Sequence, residues 1–313
     1  MAFKLIFLLP AWLSFSFAPL SISPDPEPEY TSSVAPTDTI DNPLRPYGEL
    51  TTKLSESSGL VYFNGKVWSI NDSGNKAEVY EVDPGTGEIL HTVELVNVKN
   101  RDWEDLAKDD KYLYVGDFGN NQGKRTNLAI YRVPIDKLSE PYVFAEIIRF
   151  NYEDQDSFEP GPIHAFDCEA FVISEGIIHL FTKNRDQEGI HHYTLPAQTG
   201  DQVAKHVETY VTQGMITAAD ISDQKELLLL GFDPLSKGVM IWRFDEQENH
   251  SFFSESPRHV KIGDWLSLGQ AESICWVSES TGFISNERFE KKNPPLMIPA
   301  RLYRFQTIIW DNK

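Results

Sequence analysis

The chain repeats one pattern of short strands five times, and this repetition limits the folds that are open to it. Each repeat has a small or acidic residue, a short apolar strand, a polar turn, a second apolar strand and a polar loop. The repeats are "SSGLVYFNGKVWSINDSGN" (57–75), "DWEDLAKDDKYLYVGDFGNN" (102–121), "DCEAFVISEGIIHLFTKNRD" (167–186), "TAADISDQKELLLLGFDP" (217–234) and "AESICWVSESTGFISNERF" (271–289). Helical periodicity is almost absent, so the pattern predicts an all-β chain.

A third and a fourth strand follow most repeats, which predicts units of four antiparallel strands. Examples are "AEVYEVD" (77–83) with "ILHTVEL" (89–95), and "LAIYRVP" (128–134) with "EIIRFNY" (146–152). Such units are the blades of a β-propeller. The segment "YGELTTKLSE" (47–56) precedes the first repeat, and we expect it to supply the outer strand of the last blade and so close the ring.

The spacing of the repeats sets the number of blades. The positions that we treat as equivalent are separated by 46, 65, 48 and 55 residues; they are Ser58, Glu104, Glu169, Thr217 and Glu272. One blade needs roughly 40–45 residues, so the longest gap holds one blade with insertions. The sequence therefore predicts a five-bladed β-propeller, and a six-bladed ring with one degenerate blade is the alternative.

The equivalent positions are polar although they begin the strand that lines the channel of a propeller. Three are carboxylates (Glu104, Glu169 and Glu272) and two are hydroxyls (Ser58 and Thr217). Taken alone, each reads as a solvated residue beside a strand. Together they would form one ring, in which three carboxylates repel each other unless a divalent cation lies between them. Oxygen donors suit Ca²⁺, so we predict a calcium site at these five residues.

Several of these motifs resemble those of the calcium-activated nucleotidases, or soluble apyrases. The similar segments are "SGLVYFNGKVW" with Asp72 shortly after it, "WEDLAKDDKYLYVGD", and "AESICW". The resemblance implies a secreted five-bladed propeller with one Ca²⁺ in the channel, held by Ser58, Glu104, Glu169, Thr217 and Glu272. It also implies that Asp72 and Arg288 lie near the substrate.

The sequence departs from that family at the positions that would bind phosphate. The second repeat has "GDFGNN", with Asp117 and Asn120, in place of a glycine-glycine turn followed by lysine, and Phe289 follows Arg288 where the family has paired arginines. Two functions therefore stay open. The first is calcium-dependent hydrolysis of phosphate esters or anhydrides, with Asp72 or Asp117 positioning water. The second is a non-enzymatic propeller that binds a glycan, peptide or protein and in which calcium is structural.

The loops that follow the second strand of each repeat are expected to emerge at one end of the channel. They are "NDSGNKAE" (71–78), "GDFGNNQGKR" (116–125), "TKNRDQEG" (182–189), "GFDPLSKG" (231–238) and "SNERFEKKN" (285–293). We expect this face to bind the ligand, whether a small molecule, a glycan or a protein.

The first part of the chain is expected to be a leader and a tether. Lys4 precedes an apolar run, so residues 1–18 read as a signal peptide, with an uncleaved anchor as the alternative. Residues 19–45 are rich in Pro, Asp, Ser and Thr and read as a disordered tether, followed by the propeller domain from residue 46 to residue 313. We predict a secreted or periplasmic protein with no membrane span after the leader is removed.

The net charge limits the partners of the chain, and the cysteine content limits its disulfide bonds. The formal charge of −19 argues against nucleic acid and anionic membranes as general partners. Two cysteines, Cys168 and Cys275, are too few for a disulfide scaffold. They are able to pair with each other, but buried free thiols are the favoured interpretation.

Overall fold

The computed structural model describes residues 44–212, 214–253 and 257–307. The predicted signal peptide lies outside the described residues, and so does the predicted tether except for its last two residues. The strands are β1 (Leu44–Glu49), β2 (Ser57–Phe63), β3 (Lys66–Asn71), β4 (Glu78–Val82), β5 (Ile89–Leu95), β6 (Trp103–Lys108), β7 (Tyr112–Asp117), β8 (Leu128–Pro134), β9 (Tyr142–Val143), β10 (Glu146–Tyr152), β11 (Cys168–Ser174), β12 (Ile177–Thr182), β13 (Ile190–Pro196), β14 (Gly200–Tyr210), β15 (Met215–Ile221), β16 (Glu226–Phe232), β17 (Gly238–Asp245), β18 (Arg258–Asp264), β19 (Ala271–Ser278), β20 (Thr281–Asn286), β21 (Phe289–Lys292), β22 (Pro295–Ile298) and β23 (Arg301–Gln306).

Helix is confined to short pieces in the described residues. The one α-helix, α1 (Trp265–Leu268), has four residues, and single 3-10 turns occur at Thr52–Leu54 and Ile135–Lys137. The all-β prediction is therefore confirmed. None of the helices in the described residues is long and apolar enough to cross a membrane.

The strands assemble mainly into antiparallel sheets whose order follows the sequence. One sheet runs β2-β3-β4-β5 and adds β9 in parallel at its edge, and another runs β15-β16-β17-β18. An eight-stranded sheet consists of the antiparallel sets β6-β7-β8-β10 and β11-β12-β13-β14. These two sets are joined by a parallel pairing of β10 with β14, from Ile148↔Gly200 to Tyr152↔Ala204.

The remaining large sheet joins two distant parts of the chain. Its order is β19-β20-β23-β1, and β1 pairs antiparallel with β23 along the outer edge. The segment 47–56 was expected to supply this outer strand; the strand that pairs overlaps it only at residues 47–49, and Thr52–Leu54 forms a 3-10 turn. The strand begins at Leu44, two residues before the predicted domain boundary.

The first strand of each repeat lies innermost, and these strands contact one another in a closed cycle. Strand β2 contacts β6, β6 contacts β11, β11 contacts β15, β15 contacts β19, and β19 returns to β2. This arrangement is that of a β-propeller. It brings the beginnings of the five inner strands together, which is what positions the site described below.

Large apolar side chains fill the space between neighbouring sheets. Trp68 of β3 shares a buried cluster with Trp103 and Leu106 of β6, and Phe181 of β12 shares another with Leu227 and Leu229 of β16. Cys168 and Cys275 are buried free thiols within such clusters, as the favoured interpretation of the sequence predicted. The rigid packing of these layers holds the polar ends of the inner strands in place.

Candidate cation site

A β-bulge interrupts each inner strand close to its first residue. In four strands the residue left without a cross-strand partner is the predicted ligand itself: Glu104, Glu169, Thr217 and Glu272. In β2 the bulged residue is Gly59, directly after Ser58. A bulge bends a strand and turns a side chain out of the regular alternation, so it frees these positions from the sheet faces.

Gly59 shows why the first repeat has a glycine, and not a predicted ligand, at the bulged position. Its φ of +61° lies in the left-handed region, and an added Cβ would come within 2.6 Å of the backbone nitrogen of Leu106. A side chain at this position would therefore push β2 away from β6.

Carboxylates from several repeats line one cavity of about 130 Å³. Its polar lining contains the side chains of Asp72, Glu104, Glu169, Glu272, Glu287, Ser58, Asn121, Lys183 and Gln270. Three predicted carboxylate ligands, one predicted hydroxyl ligand and the predicted acid Asp72 are thus brought together. Glu287, Asn121, Gln270 and Lys183 were not among the predicted residues.

Thr217 is not among the residues that line this cavity. Its hydroxyl donates a hydrogen bond of 2.7 Å to the backbone carbonyl of Ala271, and the Ser58 hydroxyl donates to the backbone carbonyl of Glu104. Each hydroxyl thereby links its own inner strand to the next one. Thr217 as a metal ligand stays a prediction.

Lys183 is the one cationic side chain among the described residues that line the cavity. It follows β12, and its Nζ lies 2.8 Å from Oε2 of Glu169. Burial alone would lower the pKa of Lys183, but the carboxylates of Glu169, Glu272 and Glu104 raise it overall. The lysine is therefore charged, and it neutralises part of the carboxylate cluster.

One lysine does not balance five carboxyl groups. Burial, and then the neighbouring Glu169, raise the pKa of Glu104 well above its ordinary value. Burial raises the pKa of Glu169 in the same way, and burial and then Glu272 raise the pKa of Glu287 to about 9. A bound cation stabilises the charged forms of such carboxyl groups, because it offsets the repulsion between them.

Asp102 extends the cluster. Oxygen atoms of Asp72, Asp102 and Glu104 lie within 4.8 Å of one another, close enough to share an ion. Burial, and then the charge of Asp72, raise the pKa of Asp102 to about 6. The donors are carboxylate, amide and hydroxyl oxygens, which is the donor chemistry of Ca²⁺.

The other two residues predicted to act in catalysis lie in different surroundings. Asp117 is fully buried and lies outside the cavity lining; it pairs with Arg125 at 2.7 Å and accepts a hydrogen bond of 2.6 Å from Tyr131. The Arg288 guanidinium is partly exposed and lies 3.4 Å from Glu290, although its neighbour Glu287 lines the cavity. Asp117 organises its own loop, and Arg288 is not among the residues that line the cavity.

A further buried carboxylate connects three inner strands. One oxygen of Asp105 in β6 accepts hydrogen bonds from the backbone nitrogens of Phe171 in β11 and Ala219 in β15, at 3.3 and 3.2 Å. The other oxygen accepts from Leu106 at 2.8 Å. Sequence reasoning missed this residue because it follows Glu104 directly. A second acidic residue at the start of a buried strand was the available signal.

The polar loops that follow the second strands open at one end of the inner ring. Four of them contribute Asp72, Asn121, Lys183 and Glu287 to the cavity. The remaining loop contributes Phe232 to an adjoining cavity that shares Lys183, Gln270 and Glu272 with the first. The predicted grouping of the five loops is therefore confirmed.

No known protein family matches the chain, and no curated protein matches it. Solved structures that are similar include a gluconolactonase from Xanthomonas campestris, at 12% identity over 80% of this chain and 72% of that chain, with a TM-score of 0.44. The GH43_1 enzyme from Xanthomonas citri is similar at 13% identity over 84% and 89%, with a TM-score of 0.43. The WD40 domain of Pan2 from Neurospora crassa is similar at 9% identity over 84% and 68%, with a TM-score of 0.38. These similarities assign no activity to the chain, and the resemblance to calcium-activated nucleotidases stays a prediction.

Proposed function

We propose that this protein is a secreted, five-bladed β-propeller that binds Ca²⁺ in the carboxylate cavity at the centre of its ring of inner strands. The five inner strands that contact in a cycle, each with three further strands outside it, support the proposed blade count. The observation that carries the proposal is the meeting of five carboxyl groups in a cavity with one lysine.

The donors available suit calcium better than a transition metal. The cavity lining holds carboxylate, amide and hydroxyl oxygens and, among the described residues, no histidine or cysteine. Ca²⁺ takes six to eight oxygen ligands at distances of about 2.3–2.6 Å, with water completing the shell. Glu104, Glu169, Glu272 and Asp72 would be the charged ligands, and Ser58 and Asn121 would be neutral ones.

The reaction that we propose for this site is hydrolysis of phosphate esters or anhydrides. A bound Ca²⁺ would supply Lewis-acid polarisation of a phosphoryl oxygen. Asp72 lines the cavity and would orient water, and Arg288 follows Glu287, which also lines it, so we propose that its guanidinium contacts the substrate. The proposal of this reaction rests on the resemblance of the motifs to those of the calcium-activated nucleotidases and on this grouping.

A binding propeller with structural calcium is the second candidate, and the charge of the site favours it. Lys183 is paired with Glu169, and Arg125 is paired with Asp117. A phosphate group needs cationic partners, and these two are already engaged. In this case the loops around the cavity would bind a glycan, a peptide or a protein.

One set of measurements tests both candidates. Calorimetric titration of the purified protein with Ca²⁺ after removal of metal by chelation is expected to give one site per chain. Release of phosphate from nucleoside diphosphates and from p-nitrophenyl phosphate is then measured with Ca²⁺ and with excess chelator. Calcium-dependent release that is lost in Glu272→Gln supports the hydrolase, calcium binding without release supports the binding propeller, and absence of calcium binding overturns both.

A further inference from the structure

A second cluster of ligating side chains lies away from the carboxylate cavity. It consists of His179 in β12 and of Glu246 and His250 in the segment after β17, and it joins two neighbouring sheets. One ligand atom from each residue lies within 4.8 Å of the other two. None of the three lines the carboxylate cavity.

The buried nitrogen Nε2 of His179 has no hydrogen-bond partner. The residue is fully buried, and its ring packs edge-on against Phe252 with the centroids 5.3 Å apart. Leaving a buried polar atom without a hydrogen-bond partner is unfavourable. This atom therefore calls for an explanation, and a ligand that it binds would supply one.

A chain of hydrogen bonds fixes which nitrogen of His179 carries the proton. Nδ1 of His192 lies 3.0 Å from Oε1 of Glu208, so it donates its hydrogen to that carboxylate. Nε2 of His192 then accepts from Nδ1 of His179, 2.9 Å away. Nε2 of His179 is left with a lone pair, which is the form in which imidazole binds a metal.

The other two residues are held beside His179. Oε1 of Glu246 lies 2.7 Å from Nδ1 of His250, and Oε2 of Glu246 accepts a hydrogen bond of 2.6 Å from the Ser174 hydroxyl. The Glu246 side chain is 1% exposed and that of His250 is 31% exposed. The cluster is thus buried on one side and reachable from solvent through His250.

We propose that His179, Glu246 and His250 bind a divalent transition-metal ion, Zn²⁺ in the first place, between these two sheets. Two imidazoles and one carboxylate form a known zinc ligand set, with water in the fourth position. With bonds of about 2.0–2.1 Å, the ligand atoms of a tetrahedral ion lie roughly 3.3–3.4 Å apart. The hydrogen-bonded pair of Glu246 and His250, now 2.7 Å apart, would therefore open around the ion, and His179, within 4.8 Å of both, would close in. The ion would tie the segment after β17 to the sheet that contains β12.

A second group of three such residues is less suited to metal binding. Asp186, Glu188 and His191 also lie close together, but both ring nitrogens of His191 are already partnered. Nε2 lies 2.8 Å from Asp186, and Nδ1 lies 3.1 Å from Thr209. His191 therefore lacks the free lone pair that His179 has, and it serves as a control.

The test uses the full chain in saturating Ca²⁺, so that Ca²⁺ fills the carboxylate cavity or competes with Zn²⁺ for it. Calorimetric titration with Zn²⁺ is expected to show one site, and Co²⁺ in its place is expected to give the intense visible absorption of a tetrahedral ion. His250→Asn and Glu246→Gln are each expected to weaken Zn²⁺ binding at least tenfold and to reduce the cobalt absorption.

Two controls separate this site from other histidines. His191→Asn removes the second trio, and His259→Asn removes an exposed histidine of β18; both are expected to bind Zn²⁺ as the unmodified protein does. The proposal is overturned if the unmodified protein does not bind Zn²⁺. It is also overturned if His250→Asn and Glu246→Gln both bind it unchanged, or if His191→Asn alone abolishes binding.

Discussion

The Nζ atom of Lys183 lies 2.8 Å from Oε2 of Glu169, inside a cavity that four other carboxyl groups share. The lysine comes from the loop after β12, and Glu169 is the bulged residue of β11. The protein therefore carries an internal cation at the place where we propose that Ca²⁺ binds. Under that proposal the ammonium group and the ion would compete for the same carboxylates, and the balance between them would set the metal affinity.

Lys183→Met removes the internal charge and keeps most of the length of the side chain. We expect calcium affinity to rise at least tenfold, because two unit positive charges 4 Å apart repel by about 4 kcal/mol at the effective dielectric near a protein surface, and Ca²⁺ carries two such charges. In chelator the melting temperature should fall, since five carboxyl groups then lack a counter-charge. Lys205→Met is the control, because Lys205 pairs with Glu153 in an exposed ion pair. Calcium affinity that falls instead would mean that Lys183 supports the ion.

Glu104→Gln is expected to change the two states of the protein in opposite directions. The amide keeps one oxygen donor but loses the charge, so calcium affinity should fall by tenfold or more. Without calcium the variant should melt at a higher temperature, because burial and Glu169 already disfavour the charged form of Glu104. Calorimetry measures the first effect and thermal melting in chelator the second. The exposed Glu159→Gln should alter neither. Equal behaviour of the two variants would show that the Glu104 carboxylate neither binds the ion nor destabilises the calcium-free protein.

Gly119→Ala tests whether the loop after β7 fixes the position of Glu104. An added Cβ would collide with Oε1 of Glu104 and would lie 2.7 Å from Oδ2 of Asp102. We expect weaker calcium binding, because the Glu104 carboxylate must move. Gly161→Ala is a matched control, since an added Cβ there meets no atom within 4 Å. Identical calcium titrations of the two variants would show that the position of Glu104 is unimportant for the ion.

Asp220 is expected to make the protein less stable as the pH rises. Burial raises the pKa of Asp220 to about 7, against a hydrogen bond from the backbone nitrogen of Trp276 at 2.7 Å and the charge of Lys108. The folded protein therefore holds a proton that the unfolded chain releases near pH 4. The stability that this proton contributes is present below pH 4 and is lost as the pH rises to about 7.

Asp220→Asn keeps the acceptor for Trp276 and removes the titration. We expect the free energy of unfolding at pH 7 to rise by about 1–3 kcal/mol relative to the unmodified protein, with little difference at pH 4. Denaturant unfolding at the two pH values measures this. Asp223→Asn, at an exposed position nearby, should change neither value. If Asp220→Asn changes the free energy of unfolding by the same amount at both pH values, Asp220 is not the titrating group.

The repeat predicted the position of the carboxylates well, because residues at the same register of the inner strands meet around one axis. Glu104, Glu169 and Glu272 line one cavity for this reason. The bulges were not predictable, since an extra residue in a strand leaves no mark in the alternation of apolar side chains. Thr217 is bulged as the glutamates are, but its hydroxyl donates a hydrogen bond to the backbone carbonyl of Ala271.

Residues on loops escaped the sequence analysis because the repeat fixes strands and not the paths of loops. Lys183 reads as a surface residue of a polar loop, yet it is buried against Glu169. Asp117 was predicted to position water, yet it is the buried last residue of β7, and Arg125 and Tyr131 enclose it. The trio of His179, Glu246 and His250 joins two sheets, and no spacing along the chain predicts that meeting.

Strand β23 lies between β20 and β1, so one sheet takes strands from residues 44–49 and 301–306. During synthesis, β1 emerges first and has no partner until β23 leaves the ribosome. At about 5–20 residues per second, the roughly 250 residues between them take roughly 10 to 50 s to make. The edge of β1 is open to other chains during that interval. This protein is therefore expected to rely on a holding chaperone, or on rapid export, while it is still a nascent chain.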